Sequence, residues 1–267
     1  YFILDGVVKA VDGVGMQIQK GELVGLIGES GCGKSTIALS ITRLLPSHAR
    51  ILQGSILFRG KDITELAQKE LVRLRGREIS TVFQDPTNCL NPIMKVGDQL
   101  SEGICAHKDL SRSEADAKII QILSDLDLPS PHNIADSYPH QLSGGMKQRV
   151  MIGMALSLDP YLLIADEPTS SLDVSTQLKI LDMLKSRCKA IRASLLLITH
   201  DLGIVTEVCE KVYVMYAGKI VESASVRDLY ANPSHPYTVA LLRSIIRIDR
   251  VTKIFSTIHR EVKPIFQ

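Results

Sequence analysis

Residues 28–36 read Gly-Glu-Ser-Gly-Cys-Gly-Lys-Ser-Thr, and they contain the pattern GxxxxGK[ST] in Gly28, Gly33, Lys34 and Ser35. Each residue type in that pattern has a task in holding an anion. Glycine lets the backbone wrap closely around phosphate oxygens. The amides of the loop, those of Ser30, Gly31 and Thr36 among them, and the N-terminus of the following helix present positive dipole ends. Lys34 adds a full charge for the β- and γ-phosphates of a nucleotide, and Ser35 offers a hydroxyl to Mg²⁺. At ordinary residue frequencies the pattern arises by chance in roughly one chain in a hundred of this length. Cys32, inside the loop, reads as a tolerated small residue, although a helix N-terminus and Lys34 both act to lower a thiol's pKa.

A second set of chemical groups follows an apolar run. Leu162, Leu163, Ile164 and Ala165 lead directly into Asp166, Glu167 and Pro168. A buried strand that delivers two carboxylates at its C-terminal end matches where α/β sheets bind ligands. In that setting Asp166 holds Mg²⁺ and Glu167 polarises the attacking water as general base. Taken alone, the same residues also fit an acidic cluster at a helix start.

The elements that must position these groups follow from the pattern of apolar residues. Residues 21–27 read as a turn and a short buried strand, and 34–45 as a helix stopped by Pro46. Further strands are expected at 55–58, 79–83, 161–165, 194–199 and 212–215, with helices near 174–189 and 201–209. Ile119, Ile120, Leu123, Leu126 and Leu128 form one apolar helical face, broken by Pro129 and Pro131. Apolar strands alternating with helices imply a mainly parallel sheet covered on both faces.

Composition narrows the class. The chain has 267 residues, 45% hydrophobic and 22% charged, with a formal charge of +2. That composition suits a globular protein with a sizeable core, and it gives no sign of nucleic acid as a partner. The five cysteines are scattered without a CxxC pair, which suits reduced thiols rather than a disulfide framework or zinc site. No apolar run approaches the roughly 18–20 residues that cross a bilayer, and no signal peptide is visible. The chain begins at Tyr1 rather than Met, which points to a trimmed start.

Residues 142–149, Leu-Ser-Gly-Gly-Met-Lys-Gln-Arg, carry the argument further. LSGGxxQR resembles the signature motif of the ABC transporter ATPases. The resemblance implies an α/β fold: a P-loop NTPase (RecA-like) core with a mainly parallel sheet, an antiparallel N-terminal β part and a helical signature-motif subdomain. It also implies that Ser143, Gly144 and Gly145 face the γ-phosphate held by a second subunit. Gln84 in VFQDP resembles the Q-loop glutamine, which senses Mg²⁺ and the membrane subunits. Ser171-Leu172-Asp173 resembles the D-loop, which crosses the dimer interface. His200 in ITHD resembles the switch histidine, and Tyr1 or its neighbour Phe2 resembles the aromatic that stacks on adenine, with Tyr1 preferred.

Within that family, AVDGV at 10–14, FQDP with LNP at 83–92, YPHQLSGGM at 138–146 and NPSHPYTVALLRSI at 232–245 resemble the peptide/nickel import branch. The branch implies an ATP-binding domain over 1–231, with a helical subdomain over about 91–158, and a C-terminal extension over 232–267. It implies ATP and Mg²⁺ as ligands and a nonidentical second ATPase subunit. It further implies two membrane-spanning permease subunits, an extracytoplasmic solute-binding protein, and work at the cytoplasmic face of the membrane. Di- and oligopeptides are the expected solutes, with nickel or metal chelates as the alternative. Many relatives continue into a cysteine-rich tail that binds an iron–sulfur cluster. Residues 246–267 hold no cysteine, so no cluster is expected in this chain, and Arg247-Ile248-Asp249-Arg250 resembles the approach to such a tail.

Overall fold

The computed structural model describes residues 1–3, 6–170 and 172–244. Ser171 of the expected D-loop, and residues 245–267 with Arg247 to Arg250, lie outside the described residues. The chain divides into two compact units. The first takes in Tyr1–Ile18, Leu23–Leu66 and the described part of Leu197–Gln267; the second takes in Gln19–Glu22 and Ala67–Leu196.

In the first unit, β1 (Phe2–Ile3) and β2 (Gly6–Val7) form an antiparallel ribbon. β3 (Leu23–Ile27) is buried along its whole length, as a Leu-Val-Gly-Leu-Ile run with no polar side chain should be. It feeds the phosphate loop and then α1 (Lys34–Ile41). That helix ends before the expected stop at Pro46 because Arg43 turns left-handed, at φ 55°, and donates to the carbonyls of Ile63 and Thr64. A second antiparallel ribbon pairs β4 (Leu57–Phe58) with β5 (Lys61–Asp62).

The second unit is mainly helical. α2 (Gln68–Leu74) precedes β6 (Ile79–Val82), followed by α3 (Pro86–Cys89), α4 (Val96–Cys105) and α5 (Arg112–Asp125). α5 opens on a capping box between Ser111 and Glu114, and it buries Ile119 and Leu123 of the expected face together with Ile122, which the spacing did not include; Ile120 is only half-buried, and Leu126 and Leu128 are buried beyond the helix. Pro131, expected to break that helix, instead begins α6 (Pro131–Asp136) after a left-handed Ser130. α7 (Gly144–Leu156) leads to β7 (Leu162–Asp166), which pairs in parallel with β6 so that Val82 stands opposite Ala165. α8 (Val174–Ile191) carries Arg187, whose guanidinium meets Asp125 at the end of α5 at 2.8 Å.

The boundary between the units falls inside β8 (Ser194–Thr199), all six residues of which are buried. The first unit then continues with α9 (Leu202–Val208), β9 (Lys211–Tyr216), β10 (Lys219–Ser225), α10 (Val226–Ala231) and α11 (Pro236–Arg243). Its sheet order is β10-β9-β3, with β9 parallel to β3 and antiparallel to β10. β10 is an addition to the strands read from the sequence. Among the described residues no helix is long and apolar enough to cross a membrane.

Candidate functional site

The first unit presents the phosphate loop between β3 and α1. Its shape is fixed from two sides. A Cβ on Gly28 would lie 2.2 Å from the carbonyl oxygen of Met215, and one on Gly33 would lie 2.2 Å from that of Ala10. Gly33 also sits at φ 111° as the residue capping α1. Only glycine satisfies both the conformation and the space. The amide of Gly218 donates to the Cys32 carbonyl at 3.0 Å, tying the middle of the loop to the β9–β10 turn.

Lys34 is 5% exposed, yet its ammonium is hydrogen-bonded. Nζ donates to the carbonyls of Gly28 at 2.8 Å and Glu29 at 2.9 Å, so the loop itself holds the charge inside its curve. Ser30, Gly31 and Ser35 are exposed, and Thr36 is half-buried. Burial pushes the Cys32 thiol up, and this outweighs the opposing influence of Lys34, whose Nζ lies 4.0 Å from the sulfur. The thiol is therefore less acidic than its place at a helix start suggested.

Tyr1 belongs to the same unit. Its hydroxyl lies 3.3 Å from the Thr36 Oγ1, and its ring is 5.5 Å from that of His48. Phe2 instead lies under the guanidinium of Arg50, 5.7 Å away. His200 follows β8 and is exposed. Next to it Asp201 caps α9 by accepting from Gly203 N at 2.7 Å.

The second unit gathers the other candidates in two places. At the C-terminal ends of β6 and β7, Gln84 and Glu167 come together: Gln84 Nε2 donates to Glu167 Oε2 at 3.2 Å. Asp166 is the last residue of β7 and half-buried. Glu167 has φ 46°, a left-handed conformation uncommon outside glycine. The second place is the start of α7. Ser143 caps the helix by accepting from Met146 N at 3.3 Å. A Cβ on Gly144 would lie 3.8 Å from Leu172 Cδ2, and one on Gly145 only 3.0 Å from Thr176 Cγ2. Asp173 caps α8 by accepting from Thr176 N at 3.0 Å, and that bond lowers its carboxyl below the usual range. The start of α7 is thus packed against the turn into α8, which gives Gly145 a steric reason beside its suitability for an anion.

Sequence reasoning missed several contributors. Ala10 and Met215 shape the loop through backbone oxygens, which no side-chain pattern reveals. Tyr237 reaches the loop from a segment 208 positions away, 232–245, whose resemblance to the import branch gives the tyrosine no role. Among the described residues no group of three or more His, Cys, Asp or Glu has the arrangement of a metal site.

Comparison with known proteins gives consistent results. Residues 11–170 match the model of the family described as ABC transporter, and residues 221–265 match the model described as oligopeptide/dipeptide transporter, C-terminal region. The chain is 47% identical over 243 residues to the oligopeptide transport ATP-binding protein AppD of Bacillus subtilis, covering 91% of this chain and 74% of that one. It is 43% identical over 254 residues to the oligopeptide transport ATP-binding protein OppD of Escherichia coli, covering 95% and 75%. Among solved structures it resembles the ATP-binding cassette MJ0796, a dimer bound to ADP and phosphate, with a TM-score of 0.76 and 27% identity over 85% of this chain and 95% of that one.

Proposed function

The chain belongs to the ABC transporter family and is one of its ATPases, and from that premise we propose that its ATP hydrolysis drives import of di- and oligopeptides. The observation that carries this reading is the match of residues 221–265 to the oligopeptide/dipeptide transporter C-terminal region, because the ATPase core alone does not distinguish solutes. The relatives named as peptide transport proteins agree with it.

In the proposed cycle Lys34, Ser30, Gly31, Gly33 and Thr36 hold the phosphates of ATP, and Tyr1 stacks on the adenine. Glu167 takes a proton from a water whose oxygen attacks the γ-phosphorus. The bond from that phosphorus to the β–γ bridging oxygen breaks, and ADP and phosphate leave. Gln84 steadies the Glu167 carboxylate through their hydrogen bond, and His200 contacts the γ-phosphate. Ser35, Asp166 and Gln84 offer hard oxygen donors, a chemistry that suits Mg²⁺ held with phosphates rather than by a protein cage. When bound, that ion neutralises charge on the phosphates.

Ser143, Gly144 and Gly145 serve the nucleotide on a second, nonidentical ATPase subunit, and Asp173 lies at the same join. Two permease subunits form the membrane path, with this chain at its cytoplasmic face, and residues 85–101 transmit closure to one of them. An extracytoplasmic binding protein delivers the solute. The test is uptake of labelled dipeptide, tetrapeptide and Ni²⁺ by vesicles carrying the complete transporter. ATP-dependent peptide uptake that Glu167→Gln abolishes supports the reading, and Ni²⁺ uptake without peptide uptake overturns the solute.

A further inference from the structure

The C-terminal part of the first unit returns to the phosphate loop. Glu222 on β10 clasps the start of α11: its carboxylate oxygens accept from the amides of Ser234 at 2.7 Å and His235 at 2.9 Å. His235 Nδ1 then accepts from Tyr237 N at 3.1 Å, capping the helix. From that position Tyr237, 7% exposed, sets its ring 4.6 Å from Tyr216 at the end of β9. Its hydroxyl accepts from the backbone N–H of Glu29 at 3.0 Å.

That N–H belongs to the same peptide unit as the Gly28 carbonyl, which takes the Lys34 ammonium at 2.8 Å. The unit is planar, so its two ends turn together. A rotation that freed the carbonyl from Lys34 would also break the bond to Tyr237. Burial pushes the phenol up to about 12, so it stays neutral and available as an acceptor throughout the neutral range.

We propose that Tyr237 is a positioning residue for nucleotide binding, its hydroxyl locking the Gly28–Glu29 peptide that holds the Lys34 ammonium in place for the phosphates. The α11 segment is thereby a brace on the phosphate loop, and Glu222 is the clasp that seats the brace. The inference rests on the reading that residues 28–36 bind ATP.

Tyr237→Phe keeps the ring and removes the hydroxyl. Calorimetric titration of the whole chain with ATP should show Kd raised about threefold to tenfold, the range expected for one hydrogen bond. In the assembled transporter KM for ATP should rise by the same factor with kcat unchanged, a split that a general loss of stability does not produce. Glu222→Ala, which does not touch the loop, should weaken ATP in the same direction, and the double variant should be no worse than the stronger single one. Additive effects would overturn the linked brace. Hydrogen exchange on the unaltered chain supplies a check independent of how the variants fold. Coupling is reciprocal, so saturating ATP should slow exchange of the α11 amides, and unchanged exchange would overturn the proposal. Lys34→Ala separates the premise from the inference. If it binds ATP as the unaltered chain does, the phosphate-loop reading fails. If it loses ATP while Tyr237→Phe keeps the original Kd, the brace alone fails.

Discussion

Replacing Gly33 by alanine separates two costs that the loop geometry combines. The first is conformational: a non-glycine residue in the left-handed region costs about 1–2 kcal/mol, or roughly 5- to 30-fold in an equilibrium. The second is steric. The new Cβ would lie 2.2 Å from the Ala10 carbonyl and 2.7 Å from Met215 Cε. The methionine tip can swing away, but Ala10 O is backbone, and ordinary carbon–oxygen contacts are about 3.3 Å. About an ångström of movement must therefore come from the loop or from the first turn of α1, where Lys34 and Ser35 sit. A misplacement of that size in a reacting array costs about 10²-fold. Gly31 provides the control: its φ is 83°, but a Cβ there meets nothing within 4 Å. Gly31→Ala should weaken ATP by roughly 5- to 30-fold. Gly33→Ala should weaken it at least about tenfold more and lower turnover by about 10²-fold. Calorimetric titration with ATP and phosphate release from the assembled transporter measure the two effects. If Gly33→Ala proves no worse than Gly31→Ala, the contact with Ala10 does not shape the loop and the reasoning is wrong.

Two further outcomes follow from the site. Glu167→Gln should bind ATP with unchanged affinity and lose turnover by about 10²- to 10⁴-fold, the usual worth of a general base; near-normal phosphate release would remove Glu167 from that role. Alkylation at pH 8, read by mass spectrometry, should modify exposed Cys89 and Cys105 well before Cys32, Cys188 and Cys209. Burial shields Cys32, Cys188 and Cys209 from the reagent and pushes the Cys188 thiol up to about 12; the thiols of Cys32 and Cys89 are both raised by burial, so exposure is what sets Cys89 ahead of Cys32. Labelling of Cys32 as fast as Cys105 would contradict the burial argument.

What the sequence disclosed depended on whether the deciding interaction was local. The loop from Gly28 to Thr36 was legible because its chemistry is written in adjacent residues. The buried strands β3, β7 and β8 were legible because apolar runs bounded by turns leave few alternatives. The end of α1 was not, because Arg43 turns to reach carbonyls about twenty residues away. β10 was missed because KIVESAS is polar and half-exposed; its pairing with β9 makes it a strand. The two-residue strands β1, β2 and β5 are too short to show any period. Tyr237 lay in a recognisable segment, but its bond to Glu29 spans 208 positions, and no spacing rule reaches that far.

The two consecutive acids at the end of β7 differ in backbone conformation, because the chain bends at the second. Along a strand successive side chains point to opposite faces, so Asp166 and a strand-like Glu167 would diverge. Glu167 leaves the strand instead, at φ 46°. Ser170 N and Oγ both donate to its carbonyl, at 3.3 and 3.2 Å, and Pro168 and Thr169 are buried behind it. The bend sets Glu167 Oε2 against Gln84 Nε2, which stands at the same edge because β6 and β7 are parallel with Val82 opposite Ala165. Holding a non-glycine residue there costs about 1–2 kcal/mol, which the surrounding contacts must offset. Stability and the proposed general-base role therefore pull apart at this residue. Glu167→Gly should be more stable than Glu167→Gln by about 1 kcal/mol, seen as a rise of roughly 2–4 °C in unfolding midpoint, because glycine relieves the strain that glutamine keeps. Both variants should be inactive. A glycine variant less stable than the glutamine variant would show that the bend at Glu167 is unstrained.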